Sequence, residues 1–178
     1  MSVLKEHYLT RVVPELRKRN RYKNLHQVPA LEKIVLNSAI NAVAEKTAID
    51  QLIKDMALIS GQKPLVTKAR KSISNFKLRQ GVPNGVKVTL RGNRMYDFFY
   101  RLVSIALPII RDFRGVSKRF DGAGNLNLGI GDHTIFPEIK IETTNRKNIG
   151  LDIAIVTTAC TDGEALELLE RMGMAFRK

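Results

Sequence analysis

The chain has 178 residues, of which 44% are apolar, enough for an ordinary hydrophobic core and too many for a disordered tail. Its 30 Lys and Arg against 17 Asp and Glu give a formal net charge of +13, beyond the roughly 2 to 8 that keeps a small domain soluble. That excess calls for a polyanionic partner, nucleic acid before anionic lipid, and the single cysteine excludes an internal disulfide framework or a cysteine-based zinc cluster.

In chain order, Ser2 to about Arg19 reads as a helix, with Leu4, Tyr8, Val12 and Leu16 on one face and Pro14 set to kink or end it. Leu31 to Asn37 switches to alternation: Ile34 and Leu36 point one way, Lys33, Val35 and Asn37 the other, as in a half-buried strand. From Glu45 to Ser60 helical spacing returns in Ile49, Leu52, Ile53, Met56 and Ile59, with Gly61 placed to stop the helix. A short strand is expected at Leu65 to Lys68, then a polar, basic loop from Ser72 to Asn84. Val86 to Arg91 alternates again, with Lys87, Thr89 and Arg91 opposite Val86, Val88 and Leu90. Asn93 is the expected cap of a helix whose face is Phe98, Phe99, Leu102, Val103 and Ala106, ended or kinked by Pro108.

The run Asp121 to Gly131 suggests a hairpin or irregular turn around a short strand. Leu151 to Thr158 is a further strand, and Thr161 with Glu164 forms a capping box opening a last helix through about Met172. Helices and strands interleave, but several connections are too short for parallel crossovers. The expected fold is a single α+β domain over 1–178, a mixed β-sheet with helices packed on one face.

The placement of charge is more telling than its total. Between Met56 and Tyr96 there is no acid at all, while Lys63, Lys68, Arg70, Lys71, Lys77, Arg79, Lys87, Arg91 and Arg94 fall in that stretch. A second cluster, Arg17, Lys18, Arg19, Arg21 and Lys23, closes the first segment. A solvated face normally mixes signs; a long stretch free of acids fits a phosphate footprint better. On the two clearest strands Lys33, Asn37, Lys87, Thr89 and Arg91 would share an exposed surface opposite the apolar one. Amides and hydroxyls flanked by cations suit the wide, shallow minor groove of A-form RNA, where they reach 2′-hydroxyls and base edges. The basic loop 72–85 holds one ring, Phe76, among Lys71, Lys77 and Arg79, a pattern for backbone contact plus stacking that orders on its partner.

Catalytic chemistry is not expected. His7, His26 and His133 are scattered, and Cys160, at the end of an apolar strand, reads as core. Gly122, Gly124, Gly129 and Gly131 lack the spacing and following helix of a nucleotide loop. Glu164, Glu167 and Glu170 read as a solvated helix face. No metal, cofactor, small-molecule substrate or membrane is expected: no apolar run reaches spanning length, and Lys5, Glu6 and His7 interrupt the N-terminal stretch where a signal peptide would be apolar. The competing reading is an adaptor for membranes or acidic proteins, which would favour a basic amphipathic helix over basic strands.

Several strings then become recognisable: Lys33-Ile-Val-Leu-Asn37, Gly61-Gln-Lys-Pro64, Lys71-Ser72 with Phe76-Lys77-Leu-Arg79, Gly85-Val-Lys-Val-Thr-Leu-Arg-Gly92, Phe120-Asp-Gly122 and Ile135-Phe-Pro-Glu138. In this order and spacing, and through the terminal Gly173-Met-Ala-Phe-Arg-Lys178, the chain resembles the bacterial ribosomal protein five family of the large subunit. The resemblance implies a structural protein of the cytoplasmic ribosome that binds 5S rRNA in the central protuberance. It implies a 5S rRNA contact at Lys33, Asn37, Gln62, Lys63, Thr89 and Arg91. It also implies a P-site tRNA contact by the loop through Lys71, Phe76, Lys77 and Arg79. The further partners implied are 23S rRNA, neighbouring 5S-associated large-subunit proteins, and a small-subunit head protein met near Arg111 to Arg119 and Glu142 to Asn148. The sequence departs from the family at Ser38-Ala39-Ile40-Asn41, where glycines are usual, and at Asn84, where an apolar residue is usual.

Overall fold

A computed structural model describes residues 2–20, 22–40, 46–139 and 149–177. Helix α1 comprises Val3–His7, a wider π turn at Tyr8–Val12, and Val13–Asn20. Strand β1 is Leu31–Ala39, helix α2 Lys46–Ser60, strand β2 Leu65–Lys68 and strand β3 Pro83–Leu90. Helix α3 comprises Gly92–Arg101, a π turn at Leu102–Ala106, and Leu107–Ile109. Strands β4, Leu126–Ile130, and β5, Leu151–Thr157, precede helix α4, Asp162–Arg171. The five strands make one sheet in the order β2-β3-β1-β5-β4; it is antiparallel rather than mixed, and the expected α+β class holds. Val66 pairs with Val86 and Thr67 with Gly85, with an irregularity between Thr67 and Lys68. By compactness the chain divides into two units, one of residues 1–34, 90–128 and 154–178, the other of 35–89 and 129–153.

Pro14 does not end its helix, whereas α3 stops at Ile109, one residue beyond Pro108, as expected; both prolines are accommodated in the same way. A proline lacks the N–H that would bond four residues back, and its ring crowds that carbonyl. In each case a π turn precedes it: the N–H of Val13 bonds to the Tyr8 carbonyl, and that of Leu107 to the Leu102 carbonyl, five residues back. The wider turn makes room for the rings of Pro14 and Pro108. The apolar stripe of α1 therefore stays in phase, and Leu4, Tyr8, Val12 and Leu16 are all buried. On α3, Met95, Tyr96, Phe98, Phe99, Leu102 and Ala106 are buried, while Val103 is only half-buried. Asn93 does not cap α3; Arg91 occupies the cap position, and the Asn93 side chain accepts instead from Lys5 Nζ at 3.1 Å.

Each central strand buries alternate residues. On β1 these are Ile34, Leu36 and Ser38, on β3 Val86, Val88 and Leu90, and on β5 Leu151, Ile153 and Ile155. The intervening positions are exposed or half-buried: Lys33, Val35 and Asn37 on β1, Lys87 and Thr89 on β3, Asp152, Ala154 and Val156 on β5. Gly85 permits close strand approach, since a Cβ there would lie 2.9 Å from the Ser38 carbonyl oxygen and 3.0 Å from Thr67 Oγ1. Gly61, at φ +67°, ends α2 in a left-handed conformation that costs glycine little.

Two expectations about α4 and its approach are corrected. Cys160 is exposed, not core: β5 stops at Thr157, Ala159 takes the buried place, and the next side chain faces outward. Nor is the glutamate face simply solvated. Glu164 accepts from the Tyr22 hydroxyl at 2.7 Å and from the Cys160 N–H at 3.2 Å, so it serves the residue before the Thr161 cap. Glu167 meets Arg19 Nη1 at 3.2 Å and Arg171 Nε at 3.3 Å, while Arg171 also pairs with Glu15.

Candidate nucleic-acid interface

Among the predicted site residues the structure brings Gln62 and Thr89 together. The Gln62 Nε2–H donates to the Thr89 carbonyl oxygen at 2.9 Å, and the Gln62 main-chain N–H donates to Ser60 Oγ at 3.3 Å. Ser60 in turn donates to the Met56 carbonyl at 2.6 Å, so the end of α2, the turn at Gly61 and β3 are tied through one buried hydroxyl. Gln62 is left with one amide hydrogen and its carbonyl oxygen. The Thr89 hydroxyl has no hydrogen-bond partner among the described residues. Asn37 is half-buried on β1, and Lys63 is exposed beside Gln62 in the chain. This cluster offers fixed hydrogen-bonding groups with cations nearby and no titratable pair suited to proton transfer.

Lys33 and Arg91 form a second cluster around an acid the sequence reading passes over. Glu32 Oε1 lies 3.5 Å from Arg91 Nη1 and 3.8 Å from Lys33 Nζ. The two cations are 60% and 32% exposed, so this is a surface pairing worth about 0 to 1 kcal/mol. It orients them without consuming them, since a phosphate exchanges for such a carboxylate at little cost. The signal is present in the sequence, since Glu32 directly precedes Lys33, but alternation centred on Ile34 and Leu36 assigns it to the apolar face; in the structure Leu31 is buried and Glu32 exposed, so the alternation does not reach the start of the strand.

The loop carrying Lys71, Phe76, Lys77 and Arg79 makes hydrogen bonds of its own. Ile73 and Leu78 exchange main-chain hydrogen bonds of 2.9 and 3.1 Å, the Lys77 N–H bonds to the Ser74 carbonyl, and Lys77 adopts φ +50°. The Gln80 N–H donates to Ser72 Oγ, and Gly81 and Ala69 pair through the main chain. The result is a miniature hairpin with Phe76 in its tip, 69% exposed, and the three cations exposed around it. The strand resumes at Pro83, earlier than expected, because Ala69 pairs with Val82 beyond the turn.

Where the family usually has glycines, Ala39 lies in β1 without a positive φ, and Ser38 is buried with its Oγ donating to the Gly150 carbonyl at 2.6 Å. Asn84 uses its main chain, accepting from the Ile40 N–H at 3.0 Å. Asn41 and the segment Glu142 to Asn148 lie outside the described residues.

A buried pair escapes the sequence reading altogether. His133 and Asp55 are 78 positions apart, yet His133 Nε2 is 3.2 Å from Asp55 Oδ2, with His133 Nδ1 3.0 Å from the Ile149 carbonyl. Both side chains are almost fully covered, which makes the pair structural rather than catalytic. Among the described residues no group of His, Cys, Asp and Glu could hold a metal ion, and no helix is long and apolar enough to cross a membrane.

Comparison with known proteins gives this surface its context. Residues 24–79 match the family model described as ribosomal protein L5, and residues 83–176 match the model of that ribosomal family's C-terminus. The large ribosomal subunit protein uL5 of Lactobacillus acidophilus is 53% identical over 179 residues, covering 99% of both chains. Those of Halothermothrix orenii and Dictyoglomus thermophilum are 52% and 53% identical over 180 residues, covering both chains completely. The chain thus belongs to the ribosomal protein L5 family, as a non-enzymatic, RNA-binding constituent of the large subunit of the cytoplasmic ribosome.

Proposed function

We propose that the protein anchors 5S rRNA through Asn37, Gln62 and Thr89, with Lys33, Lys63 and Arg91 meeting flanking phosphates. The observation that carries this reading is the Gln62–Thr89 bond. It fixes a side-chain amide beside a strand hydroxyl that has no partner among the described residues, so two polar groups are held in place before RNA arrives. A rigid pair suits the shape of an RNA minor groove, whereas a flexible one would lose affinity to ordering. The hairpin that presents Phe76 among Lys71, Lys77 and Arg79 is the proposed contact to P-site tRNA, where an exposed ring can stack while cations meet the backbone. Arg111 to Arg119, exposed apart from Phe113, Gly115 and Val116, is the proposed contact to a small-subunit head protein. 23S rRNA and the other 5S-associated proteins complete the proposed surroundings. Filter binding of the wild type and Thr89→Val to 5S rRNA tests the first assignment: unchanged affinity in a folded variant would remove Thr89 from the contact.

A further inference from the structure

Leu9 and Leu25 are 51% and 57% exposed, and both line an open groove of about 770 Å³ along α1. Val13 and Pro14 complete an aliphatic floor, and Arg17, Lys18 and Lys23 stand at the rim. None of these three cations has an acidic partner among the described residues, unlike Arg19, which is held by Glu167. An aliphatic floor beneath unpaired cations matches a ligand with aliphatic side chains on one side and carboxylates on the other.

From this we infer that the groove is a docking site for an acidic amphipathic segment of a neighbouring large-subunit protein, separate from the residues proposed to hold 5S rRNA. RNA satisfies only half of the surface. Phosphates would meet the cations, but bases gain most from exposed aromatic platforms, and the groove's one ring, Tyr22, is half-buried. Tyr22 donates its hydroxyl to Glu164 at 2.7 Å and accepts from Asn20 Nδ2 at 3.4 Å, which pins the half-buried ring against α4. A second copy of this chain, itself at +13, is opposed by charge. An acidic segment buries Leu9 and Leu25 and neutralises Arg17, Lys18 and Lys23 together.

The test places a photocrosslinking benzoyl-phenylalanine at Leu25, an exposed position whose replacement leaves the core intact, in protein assembled into large subunits. Irradiation followed by mass spectrometry should give one main adduct, to a protein peptide that combines Asp or Glu with aliphatic residues. Adding Lys18→Glu and Lys23→Glu should lower its yield about tenfold, the scale of two lost charge pairs. Filter binding of the free variant to 5S rRNA should stay within about twofold, so failure here is distinguishable from failure of the 5S assignment. Adducts mainly to rRNA, a protein adduct indifferent to the two charge reversals, or no adduct in subunits that contain the protein would each overturn the inference.

Discussion

Gln62 and Thr89 are joined side chain to main chain, with the Gln62 amide donating to the Thr89 carbonyl and leaving the Thr89 hydroxyl unspent. The geometry separates two roles that mutation can resolve. Thr89→Val keeps the β-branched shape of a half-buried strand position and leaves the carbonyl that receives Gln62 untouched, so the melting temperature should hardly move. An RNA contact left unsatisfied costs about 1 to 3 kcal/mol, roughly a five- to 150-fold loss in 5S rRNA affinity, read by filter binding.

Gln62→Ala should behave differently. It removes both the group offered to RNA and the tie to β3, so affinity and stability should fall together. The stability loss should be about 1 kcal/mol, the worth of one ordinary hydrogen bond. Denaturant unfolding beside filter binding checks the pairing; lost affinity at full stability would make the Thr89 tie dispensable.

Phe76→Ala removes a ring that is 69% exposed and touches no core, so folding and 5S rRNA affinity should be unchanged. A stacking contact is worth about 1 to 3 kcal/mol, and its loss should appear as faster release of P-site tRNA from assembled ribosomes. Weaker 5S rRNA binding with normal tRNA retention would mean that the hairpin and the strands had been assigned the wrong way round.

What the sequence discloses and what it hides divide along physical lines. Local periodicity carries the strands and helices, since Ile34 and Leu36, or Leu52, Met56 and Ile59, are read from neighbours alone. The family strings carry Gln62 and Thr89 as site residues, but the bond between them joins positions 27 apart and no local pattern encodes it. For the same reason the His133–Asp55 pair is invisible. Pro14 misleads because a proline usually weakens a helix, while Pro108 does stand at the end of α3; the π turns that precede both have no signature in residue spacing. For Cys160 the signal is present but passed over: the buried alternation of Leu151, Ile153 and Ile155 runs on through Thr157 and Ala159, which turns position 160 outward.

The His133–Asp55 pair should matter to stability and not to RNA. Asp55→Ala strands the imidazole of His133 in a nearly dry site, a loss of about 3 kcal/mol. In a chain of this size that lowers the melting temperature by roughly 6 to 12 °C. Calorimetry of the two proteins measures it, with 5S rRNA affinity unchanged below the transition; a shift under about 2 °C would mean that the site repacks or admits water.

Alkaline stability should report on Tyr8. Burial, and secondarily its neighbour Tyr96, pushes the Tyr8 hydroxyl up from 10.0 to about 12, and the hydroxyl donates to the Pro29 carbonyl at 2.9 Å. Tyrosine is neutral when protonated, so the unfolded chain gives up this proton at lower pH than the folded one. The stabilising contribution is therefore complete below pH 10 and is lost as the pH rises towards about 12. Tyr22, raised to about 12 by desolvation and by its bond to Glu164, acts in the same direction, so the alkaline limb should be steep. Tyr8→Phe cannot ionise. It should be less stable than the wild type at pH 8, where it lacks the bond to Pro29, and should lose less stability between pH 10 and 12. Urea unfolding at both pH values checks this, and parallel losses for the two proteins would show that Tyr8 is not the group responsible.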